Sequence, residues 1–439
     1  MTTSRLTESV VYRHAWTTPQ LDAILSEDAR IRSWCEILAV VAECQARLAI
    51  IPGPAAEAIA RGLQAERIDL SEVAARTRGT SHSALGLIEV LQRALPEDAR
   101  EYVYFGLTVQ DLTDTWFARV MRDVAGLVRE DLVRIQARCV RLAHDHRMTV
   151  MAGRTHGQVG SPITFGLKAA TWADEAARNI DRLDEGARRW AVVQLAGSTG
   201  GLAFFGDRGL ELRAEVARGL GLADPGVSWT ATRDRVAEFG CTASMVTGSL
   251  ARIGNEIYEL QRPEIAELSE AVDPGAVGSI TMPHKRNPEL SEHLDTLFRV
   301  ARSASTGLVE GLVSSHERDG RSWKAEWAFL PEVALAVGKA AALARMLVDG
   351  LVVDEAAMSR NLRASPFWAS EQVLVGLAGL LGKHRAQALL QEVFAHPGER
   401  IEDAVAEAAG VDPELVRSWM EVPEVAGAAA MADSATEHP

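Results

Sequence analysis

The chain has 439 residues, 47% of them apolar, and a formal net charge of −14. This length and apolar content are typical of a globular protein with a substantial core, and they exclude an intrinsically disordered chain. The acidic balance argues against nucleic acid as a partner, because phosphate binding requires clustered Lys and Arg.

The first segment, residues 1–108, has the pattern of helices of mixed length. Residues 34–48 form the clearest one, and Pro52 and Gly53 are typical of the end of a helix. We expect this segment to be an N-terminal helical domain.

Residues 109–352 behave differently, because their apolar residues recur in alternating steps of three and four. This spacing places one apolar seam along each helix, and long helices with a seam bury it against one another. The three clearest seams are Phe165, Ala169, Trp172, Ala176, Ile180 and Leu183; Val236, Phe239, Ala243, Val246, Leu250, Ile253, Ile257 and Leu260; and Leu290, Leu294, Leu297, Ala301, Ala304 and Leu308. Small residues on further faces indicate a central bundle that also packs against copies of itself.

Shorter helices follow in residues 353–439, and the stretch 427–439 is expected to be a frayed tail. The sequence thus predicts an all-α protein of three helical domains, with boundaries near residues 108 and 352.

Residues 277–288 separate two of the seamed helices. Gly275 and Gly278, with prolines at 274, 283 and 288, exclude regular structure there. The loop brings the hydroxyl of Ser279, the ammonium of Lys285 and the carboxamide of Asn287 within nine residues. An ordinary interhelical connection is the alternative, but a connection alone does not need these three groups together.

This loop, VGSITMPHKRNP, resembles the signature GSSxMPxKxNP of the fumarase/aspartase superfamily. Residues 153–158, with Pro162, Phe165 and Lys168 after them, resemble the second conserved region of that superfamily, and residues 106–111 resemble the first. The resemblance implies a helical homotetramer with a central twenty-helix bundle, in which three subunits supply the three regions of one active site.

Eliminating a group β to a carboxylate requires a base, donors for the dianion that develops, and an acid for the leaving group. The resemblance implies that Ser279 is the base and His156 the acid. A neutral serine is a poor base, so nearby cationic or N–H donors have to activate it. Lys285 and Asn287 are the nearest candidates, and they would also hold a substrate carboxylate.

Further substrate contacts are implied at Thr108, Val109, Gln110, Thr155 and Gln158. His82 either binds the leaving group or caps the helix that follows it. An ordinary structural role for His156, at a helix N-terminus, is the alternative to its role as the acid.

Residues 233–235 and 317–319 resemble two sequence segments of one branch of this superfamily. That branch contains adenylosuccinate lyase and 3-carboxy-cis,cis-muconate cycloisomerase. The nucleotide-binding residues of adenylosuccinate lyase are missing, however, and the chain has Ala15, Trp229, Trp323 and Trp327 instead. A tryptophan offers a phosphate a single N–H. The tryptophans at these positions resemble those of the cycloisomerase. His156, however, stands where bacterial cycloisomerases tend to lack a histidine.

We therefore predict a lyase that releases fumarate from a small C2-substituted succinate by anti β-elimination, cleaving a C–N bond to an amino, nitro or N-substituted leaving group. The alternative is a 3-carboxy-cis,cis-muconate-type cycloisomerase; an adenylosuccinate lyase or a catalytically silent homologue is less favoured. The partners are a small dicarboxylate and other copies of the chain.

The sequence contains neither a metal-ligand cluster nor a phosphate-binding glycine loop, so no cofactor and no metal are expected. No apolar run is expected to span a bilayer, and residues 1–11 lack a signal-peptide core. The sequence thus predicts a cytoplasmic protein without a membrane partner.

Overall fold

The computed structural model describes residues 6–63, 68–271, 275, 277–395 and 400–437. Helices dominate it, as predicted. The first seven are α1 (Arg13–Trp16), α2 (Pro19–Leu25), α3 (Glu27–Arg47), α4 (Gly53–Gly62), α5 (Leu70–Thr80), α6 (Leu85–Ala94) and α7 (Glu97–Arg100). Helix α3 begins at Glu27 and not at Trp34, because Ser26 accepts a hydrogen bond from the backbone N–H of Ala29 and so caps an earlier turn.

The middle of the chain contains the longest helices. They are α8 (Val109–Asp145), α9 (Phe165–Trp190), α11 (Asp234–Leu260), α12 (Glu289–Glu310) and α13 (Gly320–Asp349), with the shorter α10 (Gly209–Gly219) between them. Every residue of the three predicted seams is buried except Leu290, which is half-buried. The three- and four-residue spacing is confirmed as the core-facing stripe of α9, α11 and α12.

The last helices are α14 (Glu355–Ala364), α15 (Ser370–Leu381), α16 (Lys383–Ala395), α17 (Ile401–Ala409), α18 (Pro413–Met420) and α19 (Ala426–Glu437). Most of the expected frayed tail lies in α19, where Ala429 and Ala432 are buried and favour helix, and residues 438–439 lie outside the described residues. Two small antiparallel sheets complete the described structure: β1 (Val150–Thr155) with β2 (Gln158–Thr164), and β3 (Leu268–Ser269) with β4 (Val352–Val353).

The chain divides into two compact units, each built from three stretches. The first unit comprises Met1–Asp131, Asn179–Ala251 and Leu294–Leu343, and the second comprises Leu132–Arg178, Arg252–His293 and Ala344–Pro439. In the second unit the β1–β2 hairpin lies on an apolar cluster of Ala152, Leu362, Trp368 and Ala369. The division into three domains at residues 108 and 352 stays a prediction.

Helix α13 is long and apolar enough to cross a membrane by length and composition alone, contrary to the expectation that no run is. Its most apolar stretch is 56% buried within the protein, as a core helix of a bundle would be.

Candidate active site

The first group of predicted site residues lies where α8 begins, in the first unit. Thr108 immediately precedes α8, and its backbone N–H donates to Oδ2 of Asp111 at 3.0 Å, as in a helix-capping box. Asp111 also accepts hydrogen bonds from the backbone N–H groups of Ala196 and Gly197, at 2.8 and 3.2 Å. This carboxylate therefore ties the loop at residues 196–197 to the start of α8.

Asp111 is buried, and burial raises its pKa to about 7, although the three backbone donors and the Arg318 guanidinium oppose this rise. Tyr104 lies beside the same carboxyl group, and burial together with the Asp111 charge raises its pKa as well. The region thus holds a buried carboxyl group and a half-buried phenol next to Thr108, which is predicted to contact substrate.

Arg318 completes this group, and sequence reasoning did not select it as a site residue. Its Nη1 donates to Oγ1 of Thr108 at 3.0 Å, and its Nη2 donates to the carbonyl of Gly197 at 3.2 Å. Residues 317–319, which include Arg318, indicated the branch of the superfamily but were not interpreted as part of the site. The Thr108 hydroxyl oxygen accepts this hydrogen bond from Arg318. Its own proton therefore remains available for donation to a substrate oxygen.

Gln110 does not face a cavity as a substrate contact would, since its side chain is 0% exposed. Its Nε2 donates to Asp114 at 3.1 Å and to the carbonyl of Thr230 at 2.8 Å. Gln110 was predicted to contact the substrate. The structure instead places it below the surface, where it supports Asp114 and the Thr230 carbonyl. Val109 and Thr108 are half-buried and lie at the start of the same helix.

Asp114 belongs to a buried ionic network. Arg233 donates to Asp114 at 2.8 Å and to Glu326 at 2.8 Å, and the indole Nε1 of Trp323 donates to Asp114 at 2.9 Å. Burial raises the pKa of Glu326 to about 6, against the pull of Arg233. The indole N–H of Trp323 is thereby committed to Asp114, which leaves it unable to donate to a phosphate.

His156 lies in the second unit, at the tip of the β1–β2 hairpin. His156 and Gly157 form its two-residue loop, with φ values of 52° and 75°, the positive values that a type I′ turn requires at both positions. The alternative that placed His156 at a helix N-terminus was wrong. A non-glycine residue in the left-handed region is strained, and such strain clusters at functional sites.

The hairpin is held below its tip. Gly153 sits at an irregularity in the β1–β2 register, where a Cβ would come within 2.6 Å of the Ser161 carbonyl. Arg154 forms a two-pronged pair with the buried Glu267, at 2.9 and 2.6 Å, and Asn361 donates to the same carboxylate at 2.9 Å. The hairpin is therefore anchored below its tip. The residues at the tip are exposed: Thr155, His156 and Gln158.

The signature loop is also in the second unit. The backbone N–H of Met282 donates to Ser279 Oγ at 3.0 Å, and Asn287 Nδ2 donates to the carbonyl of Gly278 at 2.8 Å. A Cβ on Gly278 would lie 2.5 Å from the carbonyl of Lys285, so only glycine permits this closure. The start of the loop at Gly278 is thus held against its end at Lys285 and Asn287. Ile280, which lies between them, is 94% exposed.

Lys285 and Asn287 line a groove of 610 Å³ between the loop and the end of α11, together with His284, Arg286 and Arg262. Arg262 is paired with Glu259 and Glu264, so the positive charge that suits a dicarboxylate comes from Lys285 and Arg286. The acid Glu270 stabilises the far side of the loop, since its carboxylate accepts from the backbone N–H groups of Leu290 and Ser291 at the start of α12.

His82 lies in the first unit, immediately before α6. Its Nδ1 accepts from the backbone N–H groups of Ala84 and Leu85, at 3.3 and 3.1 Å, so it caps that helix. Because Nδ1 is an acceptor, the neutral ring carries its proton on Nε2. The capping role therefore leaves the other nitrogen as a donor for a leaving group.

In the second unit, no hydrogen bond among the described residues joins Thr155, His156 or Gln158 to Ser279, Lys285 or Asn287. The hairpin and the loop each have an internally fixed geometry.

Comparison with known proteins agrees with the motifs. A family model described as lyase matches residues 11–301. The N-acetyl-S-(2-succino)cysteine lyase of Enterococcus italicus is 34% identical over 390 residues, covering 89% of this chain and 86% of that protein. The nitrosuccinate lyase of Streptomyces davaonensis is 33% identical over 415 residues, covering 90% and 86%.

Among solved structures, the 3-carboxy-cis,cis-muconate lactonizing enzyme from Pseudomonas putida superposes with a TM-score of 0.89 at 29% identity, and the match covers 98% of both chains. The family match spans more than half of the chain, and the helical fold agrees with it over nearly the whole length. The chain therefore belongs to the fumarase/aspartase superfamily, as an enzyme of its lyase family.

Proposed function

We propose that the protein catalyses anti β-elimination from a C2-substituted succinate and releases fumarate. The observation that carries this proposal is the contact between the Met282 N–H and Ser279 Oγ at 3.0 Å. A serine can act as a base only if its alkoxide is stabilised, and an N–H donor with nearby cationic side chains supplies that stabilisation. Lys285 lies on the same loop.

In the proposed reaction, the alkoxide of Ser279 removes a proton from C3 of the succinate and becomes the hydroxyl, and the electron pair left on C3 is delocalised into the adjacent carboxylate. Lys285 binds this carboxylate, whose negative charge increases. The amide of Asn287 donates to the Gly278 carbonyl and to Glu289, and it joins Lys285 on the substrate by exchanging the Glu289 bond for one to the carboxylate. The C2–heteroatom bond then breaks, the leaving group departs with the electron pair, and His156 supplies its proton. The products are fumarate and the protonated leaving group.

The proposal also concerns which atom of the leaving group is bonded to C2 of the substrate. The sequence predicted nitrogen, and nitrosuccinate lyase, as a 33% identical relative, supports a C–N bond. The relative named for N-acetyl-S-(2-succino)cysteine supports a C–S bond equally well. We propose a C2–N or C2–S bond, with fumarate as the common product.

Thioether- and amine-substituted succinates of matched size will test this. We expect fumarate to appear with at least one of them, measured by the ultraviolet absorbance of the new double bond. Adenylosuccinate should give little or none, because the indole N–H groups of Trp229 and Trp323 are committed to the Val193 carbonyl and to Asp114 and cannot donate to its phosphate. Efficient cleavage of adenylosuccinate would contradict this interpretation of the tryptophans.

A second candidate is a muconate-type cycloisomerase, which the similarity to the Pseudomonas putida enzyme supports. This reaction adds a carboxylate across a double bond and releases no leaving group. Turnover of 3-carboxy-cis,cis-muconate in the absence of fumarate release from every substituted succinate would favour it over the lyase.

We also propose that the protein is a cytoplasmic homotetramer whose active sites are shared between subunits. Five long helices in one chain would supply a twenty-helix core in a tetramer. Sedimentation should therefore show a tetramer, and a stable monomer at micromolar concentration would contradict the assembly.

A mixing experiment tests the shared site directly. If Ser279 and His156 of one site come from different subunits, refolded mixtures of Ser279→Ala and His156→Asn chains regain intact sites. Random mixing in equal amounts restores about a quarter of the sites. If both residues come from one chain, no mixture exceeds its parents, and the shared-site proposal fails.

A further inference from the structure

The first unit contains a second cavity of 400 Å³, which the proposed chemistry does not yet use. Its walls include three indoles, those of Trp34, Trp116 and Trp327, together with the small polar side chains of Ser83 and Thr113. This volume falls in the range of small-molecule pockets, about 300–1,000 Å³.

The charges in its walls are paired with each other. Glu27 and Arg30 are the charged side chains of the lining, and they form an ion pair. The Arg30 guanidinium also lies over the Trp34 ring, 4.6 Å from its centroid. The cavity therefore offers a flat apolar surface without an uncompensated cation, which disfavours a phosphate or a second dicarboxylate.

Three of the lining residues have a buried side-chain donor without a partner among the described residues: Trp34 Nε1, Thr113 Oγ1 and Trp327 Nε1. Trp34 and Thr113 are each 4% exposed. These polar atoms are themselves buried, so a ligand in the cavity pairs with them only when the side chains that carry them rotate. A buried donor without an acceptor costs about 1–3 kcal/mol, and a ligand that brings acceptor oxygens recovers this cost.

The cavity adjoins residues assigned to the reaction. Val109, Thr113 and Phe117 are four residues apart along α8 and so lie on one face of that helix. Thr113 and Phe117 line the cavity one and two turns beyond Val109, a predicted substrate contact. On the other wall, Ser83 directly follows His82, whose Nε2 is left as a donor.

We propose that this cavity binds the leaving group of the substrate, and that it selects an uncharged organic group with apolar carbons and a carbonyl-type acceptor. This inference rests on the proposed lyase function. Ammonia or nitrite would leave the cavity unfilled, whereas an amide-bearing group of several carbons would occupy the indole-lined space and provide the acceptor.

The test compares two thioether substrates that share a leaving atom, S-methylmercaptosuccinate and S-(2-benzamidoethyl)mercaptosuccinate. Thr113→Val keeps the shape of the side chain and removes its hydroxyl, and Trp327→Phe removes the indole N–H. We expect both variants to lower kcat/KM for the benzamide substrate by about tenfold or more and to change it less than about threefold for the methyl substrate.

Ser303→Ala is the matched control for Thr113→Val, because Ser303 is exposed and does not line this cavity; it lines a groove beside α12 that Trp327 also borders. It should leave the ratio between the two substrates unchanged. Equal losses on both substrates in the Thr113 and Trp327 variants would overturn the pocket assignment and leave the lyase proposal intact.

If neither thioether releases fumarate, the C–S form of the proposed function fails, and binding decides on the cavity separately. The unreactive thioether N-(2-methylthioethyl)benzamide should quench the fluorescence of the lining tryptophans saturably, and Thr113→Val should weaken that binding about tenfold. Absence of saturable quenching, or equal quenching in the variant, would overturn the pocket.

Discussion

Replacing Ser279 with alanine should lower kcat by about 10²–10⁴-fold, the usual loss when a general base is removed. The variant keeps Lys285 and Asn287, which are proposed to hold the substrate carboxylate, so KM should change little. The loop loses the Met282 N–H contact to Oγ but should keep its closure, since Asn287 still donates to the Gly278 carbonyl. A fall in kcat at constant KM is the signature of an interaction made only in the transition state.

Exchange of the C3 proton with deuterated water reports on the base separately from departure of the leaving group. The Ser279→Ala enzyme should lose both exchange and fumarate release. Thr281→Val is the matched control, because it removes an exposed hydroxyl two residues away in the same loop. Near-normal turnover of Ser279→Ala would mean that the loop is not the source of the base.

The long helices could be predicted because burial follows a local rule. Residues on one face of a helix recur every three or four positions, and the seams of α9, α11 and α12 obeyed that rule. The loop at 277–288 could be predicted for a similar reason, since its glycines and prolines limit the backbone wherever the chain places them. Gly278 shows this directly, because any side chain there would meet the Lys285 carbonyl.

The contacts that depend on distant parts of the chain could not be predicted. Asp111 binds the backbone of residues 196 and 197, and Arg318 reaches Thr108 across more than 200 positions. Gln110 was predicted to contact substrate on the strength of its neighbours, yet its amide is buried against Asp114 and Thr230. Adjacent residues at the start of a helix point in directions about 100° apart, so membership of a motif does not fix what a side chain faces.

The His156 turn lies between these cases. Positive φ at two successive positions suits a histidine–glycine pair, but the sequence analysis considered a helix N-terminus there and did not predict the hairpin. The short strands around it lack a strong alternating pattern, and they are stabilised by the apolar cluster around Trp368 and by the Arg154–Glu267 pair. Tertiary contacts decide the local structure there.

Replacing His156 with asparagine should have an effect that depends on the leaving group. Asparagine tolerates positive φ better than most residues, so the hairpin turn at 52° should persist. With an amine leaving group, which departs as a strong base, loss of the acid should lower kcat/KM by about 10²–10⁴-fold. With nitrite, which departs as a stable anion, the loss should be much smaller, because acid catalysis contributes in proportion to the charge left on the departing atom.

The measurement is the ratio of kcat/KM between an amino-substituted and a nitro-substituted succinate in the wild-type and variant enzymes. Val159→Thr, on the same exposed hairpin, is the control for a change of shape near the tip, and it should leave the ratio as it is. A ratio that shifts strongly toward the nitro substrate supports His156 as the proton donor. Equal depression of both substrates would mean that His156 orients the substrate or supports Ser279, and the leaving group would then take its proton from another donor, for which the Nε2–H of His82 is the first candidate.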